Sequence, residues 1–169
     1  DSMEELELLQ SPQAILLTPE GAKALQAELD HLTQVKRAEI AERLRDSKDH
    51  GEFSEDNNEL DEVKFEQAIV ENRIGELKGI LSAAQTIEPG MVSTDFAGIG
   101  AWIKVKDADR GVEFEVRMVS SFEANPDEDL ISNESPMGMA LYGHKVGDVV
   151  QFEAPVGQIR YEILSIRAD

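Results

Sequence analysis

The chain has 169 residues, of which 41% are hydrophobic and 5% are aromatic, so it can form one domain or two small ones with largely aliphatic cores. It contains no cysteine, which excludes disulfides, thiolate zinc sites and cysteine nucleophiles, and we expect a reduced, cytoplasmic protein. The formal net charge of −19 argues against non-specific binding of nucleic acid through phosphates. It suits a protein that meets a basic surface or brings carboxylates to a metal. Since no apolar run approaches the ~20 residues that span a bilayer, we expect no membrane contact.

Residues 1–17 are predicted to form an N-terminal arm that ends in a short extended segment. A strong helix start follows at Thr18, Pro19 and Glu20. Threonine caps free amides, proline suits the first helical position and glutamate complements the helix dipole. Gly21 lowers the helix propensity of the first turn, and the sequence alone offers no reason for it.

Apolar residues then recur every three or four positions on both sides of a short acidic turn, which is the pattern of an antiparallel coiled coil. We predict a helical hairpin over 18–85, with a first helix that runs to about Lys48 and a second that ends near Ala84. Each arm has about 30 residues and is therefore about 45 Å long. The seam positions are Leu25, Leu29, Leu32, Lys36, Ile40 and Leu44, then Leu60, Val63, Gln67, Val70, Ile74, Leu77 and Leu81.

The turn over 49–59 is the acidic tip of the predicted hairpin. Gly51 is expected to end the first helix as a C-cap, and Ser54 to begin the second. So many like charges destabilise a loop unless a cation or a basic partner screens them, so the tip is a candidate functional site. The carboxylates between 46 and 66 are Asp46, Asp49, Glu52, Glu55, Asp56, Glu59, Asp61, Glu62 and Glu66.

Much of the positive charge of the first half lies on the first predicted helix, including Lys36, Arg37 and Arg43. Two interpretations stay open. These side chains either pair with acids of their own helix or form a basic stripe that touches nucleic acid beside the tip. The acids available on that helix are Glu39, Glu42 and Asp46.

After a linker over 86–100, the period of the pattern changes from 3.6 to 2, which predicts strands at 101–106, 112–119, 149–154 and 158–166. A capping serine and an N1 proline predict a short helix at 135–141. The region 101–169 is therefore predicted to be a small antiparallel sheet with one helix across it, and the chain as a whole to be α+β.

The residues alone show no catalytic constellation, since His31, His50 and His144 are far apart in sequence. The carboxylates at the tip are the ligand type of Mg²⁺ or Ca²⁺, but they lack the spacing of an EF-hand. They could complete a metal site that another protein largely supplies.

Several segments, in unbroken order, resemble the Gre family of bacterial transcript-cleavage factors, its GreA branch in particular. The similarity covers about residues 15–167, and each half carries it independently. The segments that match most clearly are Leu17-Thr18-Pro19-Glu20-Gly21, His50-Gly51-Glu52-Phe53-Ser54-Glu55, Ser135-Pro136-Met137-Gly138, Lys145-Val146-Gly147-Asp148 and Pro155-Val156-Gly157.

The resemblance implies a coiled-coil hairpin followed by an FKBP-like domain over 101–169. It implies that the second domain docks on bacterial RNA polymerase, for which we expect Ser135, Pro136, Met137 and Gly138 to provide contacts. The hairpin would enter the secondary channel of the polymerase and stimulate hydrolysis of backtracked RNA, without being an enzyme on its own.

By position, Glu52 and Glu55 correspond to the two family acids that help to hold a second Mg²⁺, which the polymerase mainly binds. Asp56 is expected to modulate that site. The basic patch of the family, close to the RNA 3′ end, would correspond to Lys36, Arg37, Arg43 and Lys64.

This sequence departs from the family pattern at the tip, where Glu52 replaces an aspartate and extends its reach by one methylene. A displacement of about 1 Å can disturb positioned chemistry. The alternative is therefore a homologue that occupies the channel and inhibits the polymerase without stimulating cleavage. Two other hypotheses are a prolyl isomerase, from the FKBP-like fold, and a coiled-coil spacer that forms a stable dimer. We expect a monomer.

Overall fold

The computed structural model describes residues 15–51 and 58–169. It divides into two compact units: a helical unit, Ala22–Ala83, and a sheet unit, which joins the described residues up to Gly21 to those from Ala84 onward. Within the described ranges, no helix has both the length and the apolar character that crossing a bilayer requires.

The helical unit is a hairpin. Its first arm consists of helix α1 (Pro19–His31), a π-helical turn (Leu32–Lys36) and helix α2 (Arg37–Gly51), and its second arm is helix α3 (Asn58–Ala83). The first arm thus extends past the predicted end at Lys48, and Gly51 is its last helical residue. Cross-hairpin ion pairs show that the arms are antiparallel, since Glu28 lies beside Arg73 whereas Arg43 lies beside Glu66.

The π turn has a cause in the sequence. Leu32, Lys36, Ile40 and Leu44 follow one another at intervals of four residues. On an α-helix each such interval advances a side chain by about 40°, so three of them would rotate the seam by about 120°. A π turn takes up an extra residue and cancels part of that drift, which keeps these positions facing the second arm.

The core of the hairpin contains Ile40, Val63, Val70 and Ile74, with Leu29, Leu32 and Leu44 packed against it. The predicted seam is therefore confirmed at most positions. It was wrong at Gln67, which is exposed, and at Leu81, since Ile80 is the buried residue of the last turn.

The helix start at Thr18 belongs to the sheet unit and is confirmed. The hydroxyl of Thr18 accepts a hydrogen bond from the backbone N–H of Gly21 at 3.0 Å. Glu123 extends this cap, because its carboxylate accepts bonds from the backbone N–H of Thr18, at 3.0 Å, and from the Thr18 hydroxyl. A Cβ on Gly21 would overlap the Glu123 carboxyl group, which explains the glycine in this turn.

The strands of the sheet unit are β1 (Ile15–Leu17), β2 (Ala84–Thr86), β3 (Trp102–Asp107), β4 (Glu113–Val119), β5 (Leu130–Ser132), β6 (Val149–Ala154) and β7 (Gly157–Arg167). Strands β1 and β2 form a parallel pair of their own. The others form a sheet in the order β5-β4-β3-β7-β6. The α+β class is confirmed. The sheet is mainly antiparallel, as predicted, but its edge strand β5 runs parallel to β4.

The remaining α-helix of the described residues, α4 (Pro136–Leu141), packs on one face of this sheet. Leu141 of α4 joins Ile103, Met118, Val150 and Ile163 in the core. Aromatic residues extend this core, since Tyr161 contacts Phe114 and Phe152 at centroid distances of 5.2 and 5.6 Å.

Candidate functional site

The three tip acids, Glu52, Glu55 and Asp56, lie outside the described residues. The described helices flank them on either side, with α2 ending at Gly51 and α3 beginning at Asn58. Asp49, also part of the predicted tip, lies in the last turns of α2.

No metal centre is present in the part of the chain that the structure describes. Nowhere in residues 15–51 and 58–169 do three or more His, Asp or Glu side chains come together in a way that could hold a metal ion. The described residues therefore provide no candidate metal site besides the acidic tip.

The predicted basic residues lie beside carboxylates of the opposite helix. Lys36 Nζ is 3.1 Å from Glu66 Oε1, and Arg43 Nη1 donates to Glu66 Oε2 at 2.6 Å. Hydrogen bonds from Arg43 first, and then from Lys36, hold the pKa of Glu66 below its ordinary value. One carboxylate on α3 thus pairs with two cations on the first arm.

Arg37 makes a two-pronged contact with Glu71, from Nε at 2.9 Å and from Nη2 at 2.6 Å. These hydrogen bonds lower the pKa of Glu71 and raise that of Arg37. Lys64 is exposed and has no ion pair with another described residue. Of the four predicted basic residues, three are therefore engaged within the hairpin.

The structure tests the first of the two interpretations, in which the basic residues pair with acids, and contact with nucleic acid stays a prediction. The basic residues pair with acids, but the prediction that those acids lie on their own helix was largely wrong. Of the predicted partners only Glu39 is near a basic residue, with an oxygen 4.0 Å from Lys36 Nζ, whereas Glu66 and Glu71 on α3 make the short contacts.

A similar contact joins α1 to α3 farther from the tip. Arg73 donates to Glu28 from Nε at 2.6 Å and from Nη2 at 2.8 Å, and to Glu76 from Nη1 at 2.6 Å. This pair could not be predicted from the sequence, because its members are far apart in the chain and only the register of the hairpin brings them together.

The residues expected to dock on a partner, Ser135 to Gly138, mainly build helix α4. Ser135 caps it by accepting from Gly138 N at 3.1 Å, and Pro136 occupies its first position. Met137 packs against the core. Gly138 is buried, and a Cβ there would lie 1.9 Å from the carbonyl oxygen of Ser132.

The accessible face of α4 is formed instead by Pro136, Met139 and Tyr142, which we name the α4 outer face. Met139 is 63% exposed and Tyr142 is 49% exposed. These residues recur every third position, and the buried residues Gly138 and Leu141 lie between them. Met139 and Tyr142 were not among the predicted docking residues, although their three-residue spacing opposite the core positions could have indicated them.

Two family models match the chain, one after the other. The model described as "Transcription elongation factor, N-terminal" matches residues 15–86, and "Transcription elongation factor, GreA/GreB, C-term" matches residues 92–168. The chain belongs to the GreA/GreB family of transcription elongation factors.

Full-length relatives agree with this assignment to the GreA/GreB family. The transcription elongation factor GreA of Thermoanaerobacter pseudethanolicus is 46% identical over 153 residues, which cover 90% of this chain and 97% of the relative. GreA of Clostridium novyi is 45% identical over 152 residues, with 90% and 95% covered.

Among solved structures, the chain is similar to the GreA factor homolog 1 (Gfh1) protein of Thermus thermophilus, at 32% identity and a TM-score of 0.43, with 92% of this chain and 99% of that one covered. A GreA/GreB elongation factor from Nitrosomonas europaea is 18% identical, with a TM-score of 0.40 and 90% and 98% covered.

The residues of both candidate sites lie within the matched ranges. All three tip acids fall inside the N-terminal model, and the α4 outer face falls inside the C-terminal one. The two models meet between residues 86 and 92, shortly after the end of α3, and residues 1–14 precede both.

Proposed function

We propose that this member of the GreA/GreB family binds bacterial RNA polymerase, inserts its helical hairpin into the secondary channel and stimulates hydrolytic cleavage of backtracked RNA. The observation that carries the proposal is the match of both family models in succession over residues 15–86 and 92–168. The hairpin supports it, because the acidic residues lie in the chain between the end of one antiparallel arm at Gly51 and the start of the other at Asn58.

In this proposal the protein is not itself the hydrolase. Glu52 and Glu55 would complete a Mg²⁺ site that the polymerase mainly holds, and Asp56 would modulate it. Carboxylate oxygens are the ligands that Mg²⁺ prefers, and few protein ligands suffice when the partner supplies the rest. When bound, the ion would lower the pKa of the attacking water and stabilise developing charge on the phosphate.

We assign docking to the α4 outer face of the sheet unit rather than to the whole segment from Ser135 to Gly138. Ser135 and Gly138 are used by the helix itself, as cap and as close-packed backbone. Met139 and Tyr142 present accessible apolar and aromatic surface, which is enriched at protein interfaces. The protein acts as a monomer in this scheme, which light scattering at the mass of 18.7 kDa tests.

The deciding experiment uses stalled, backtracked elongation complexes of a bacterial polymerase with end-labelled RNA and Mg²⁺. The wild-type protein should accelerate the release of short 3′ fragments, and Glu52→Gln or Glu55→Gln should abolish that acceleration while leaving polymerase binding intact. Glu62→Gln, on an exposed position of α3, is the matched control, since it changes the net charge equally.

Three results would contradict the proposal. Failure to bind polymerase would remove its basis altogether. Slower RNA synthesis without fragments would indicate the inhibitory alternative instead. Unchanged cleavage in both tip variants would exclude Glu52 and Glu55 from the metal site.

A further inference from the structure

The pairing of Lys36 and Arg43 with Glu66 has a consequence for RNA contacts. The two cations lie seven residues apart, which is about two helical turns, and so on one face of the first arm. Glu66 lies between them on α3 and offers one carboxylate oxygen to each, at 3.1 and 2.6 Å.

The three residues of the predicted basic patch that lie on the first arm are all paired with acids of α3. Arg37 pairs with Glu71, a second acid of α3. The cation–carboxylate distances are 2.6 to 3.1 Å: Arg37 and Arg43 donate hydrogen bonds to Glu71 and Glu66, and Lys36 forms an ion pair with Glu66. Carboxylate and phosphate oxygens use the same donor groups of lysine and arginine, so each contact competes with RNA for the same cation.

We propose that Glu66 determines how strongly the hairpin contacts RNA, by occupying Lys36 and Arg43 and keeping them from phosphates. The inference rests on the proposed function only for the claim that RNA comes near the hairpin. It assigns to one acidic residue the suppression of non-specific RNA binding, so that the protein selects its target through the polymerase rather than through the transcript.

The contacts of Glu66 make this suppression graded rather than absolute. The side chains of Glu66, Lys36 and Arg43 are all partly accessible to solvent. Exposed ion pairs are weak and are screened by salt, so a phosphate held nearby by the polymerase can displace Glu66. A phosphate of free RNA, which no polymerase holds in place, competes less well with Glu66 for Lys36 and Arg43.

The test measures binding of the full chain to a fluorescein-labelled single-stranded RNA of about ten nucleotides by fluorescence anisotropy, across a series of salt concentrations. Glu66→Gln removes the charge but keeps the size of the side chain. Glu76→Gln is the matched control, because it lies on the same helix and changes the net charge equally, whereas its partner Arg73 keeps both bonds to Glu28.

We expect Glu66→Gln to bind the RNA more tightly than wild type at ~50 mM salt. The plot of log Kd against log salt should become steeper by up to about 1.4, since each fully freed cation adds about 0.7 on a single strand. Between ~50 and ~200 mM salt that upper value corresponds to an about sevenfold greater loss of affinity. Adding Lys36→Ala and Arg43→Ala to Glu66→Gln should restore the wild-type slope.

An unchanged slope in Glu66→Gln would overturn the inference, and so would an equal change in Glu76→Gln, which would indicate bulk charge alone. Circular dichroism checks that the hairpin stays folded. If Glu66→Gln unfolds it, Glu71→Gln provides an independent test, because it frees Arg37 and should steepen the slope by up to about 0.7. The assay contains no polymerase, so its outcome is separate from that of the cleavage experiment.

Discussion

Replacing Gly138 by alanine should destabilise the sheet unit. The new Cβ would lie 1.9 Å from the carbonyl oxygen of Ser132, and real Cβ contacts essentially never fall below 3.0 Å. The backbone of α4 or of β5 must therefore move by about 1 Å. Overpacking of this kind costs about 1–3 kcal/mol, and the upper part of that range applies here because the obstacle is backbone rather than a flexible side chain.

Chemical or thermal unfolding followed by tryptophan fluorescence measures this effect, since Trp102 is the single tryptophan and lies on β3 of the sheet unit. A cost of about 2–3 kcal/mol lowers the Tm of a unit of this size by roughly 8–24 °C. Gly90→Ala is the control, because a Cβ there meets no atom within 4 Å. If Gly138→Ala unfolds at the wild-type temperature, the close approach of α4 to β5 does not explain this glycine.

Three further predictions concern stability, pH and binding. Gly79→Ala on α3, where a Cβ meets nothing within 4 Å, should stabilise the hairpin by about 0.5–1 kcal/mol, measured by circular dichroism; a loss of stability would contradict the open environment described for that site. The hydrogen bond from Arg73 lowers the pKa of Glu28 below its ordinary value of 4.5, so its contribution to stability is complete above that pH and is lost as the pH falls through the folded pKa. Glu28→Gln should therefore reduce the acid dependence of hairpin unfolding, and an identical pH profile would refute this. Met139→Ala with Tyr142→Ala should weaken binding to RNA polymerase at least tenfold, as loss of about 1.4 kcal/mol or more from an apolar anchor implies, while the Tm stays near that of wild type. Unchanged affinity would exclude the α4 outer face as the docking surface.

The elements that could be predicted from the sequence are those in which the deciding contacts are local. Thr18 and Pro19 mark a helix start because a cap needs only the next three residues, and the same is true of Ser135 and Pro136. The long seam of the hairpin was recognisable because helical periodicity accumulates over many turns. The candidate acids at the tip could also be predicted from the sequence, because carboxylates are dense there and the flanking residues resemble those of the family.

Contacts between distant segments could not be predicted from the sequence. Strand β5 has only three residues, which is too short for alternation to be visible, and its parallel pairing follows from where the chain returns along β4. Gly21 has a reason only once Glu123 lies against it, and the two are about 100 residues apart in the chain.

The basic residues show most clearly the difference between what the sequence and what the tertiary structure determine. The sequence determined that Lys36, Arg37 and Arg43 lie on a helix beside an acidic tip, because composition and period are local properties. Only the tertiary structure decided that Glu66 and Glu71 of the opposite helix hold them, because the rotation introduced by the π turn and the register of two antiparallel arms choose which charges meet.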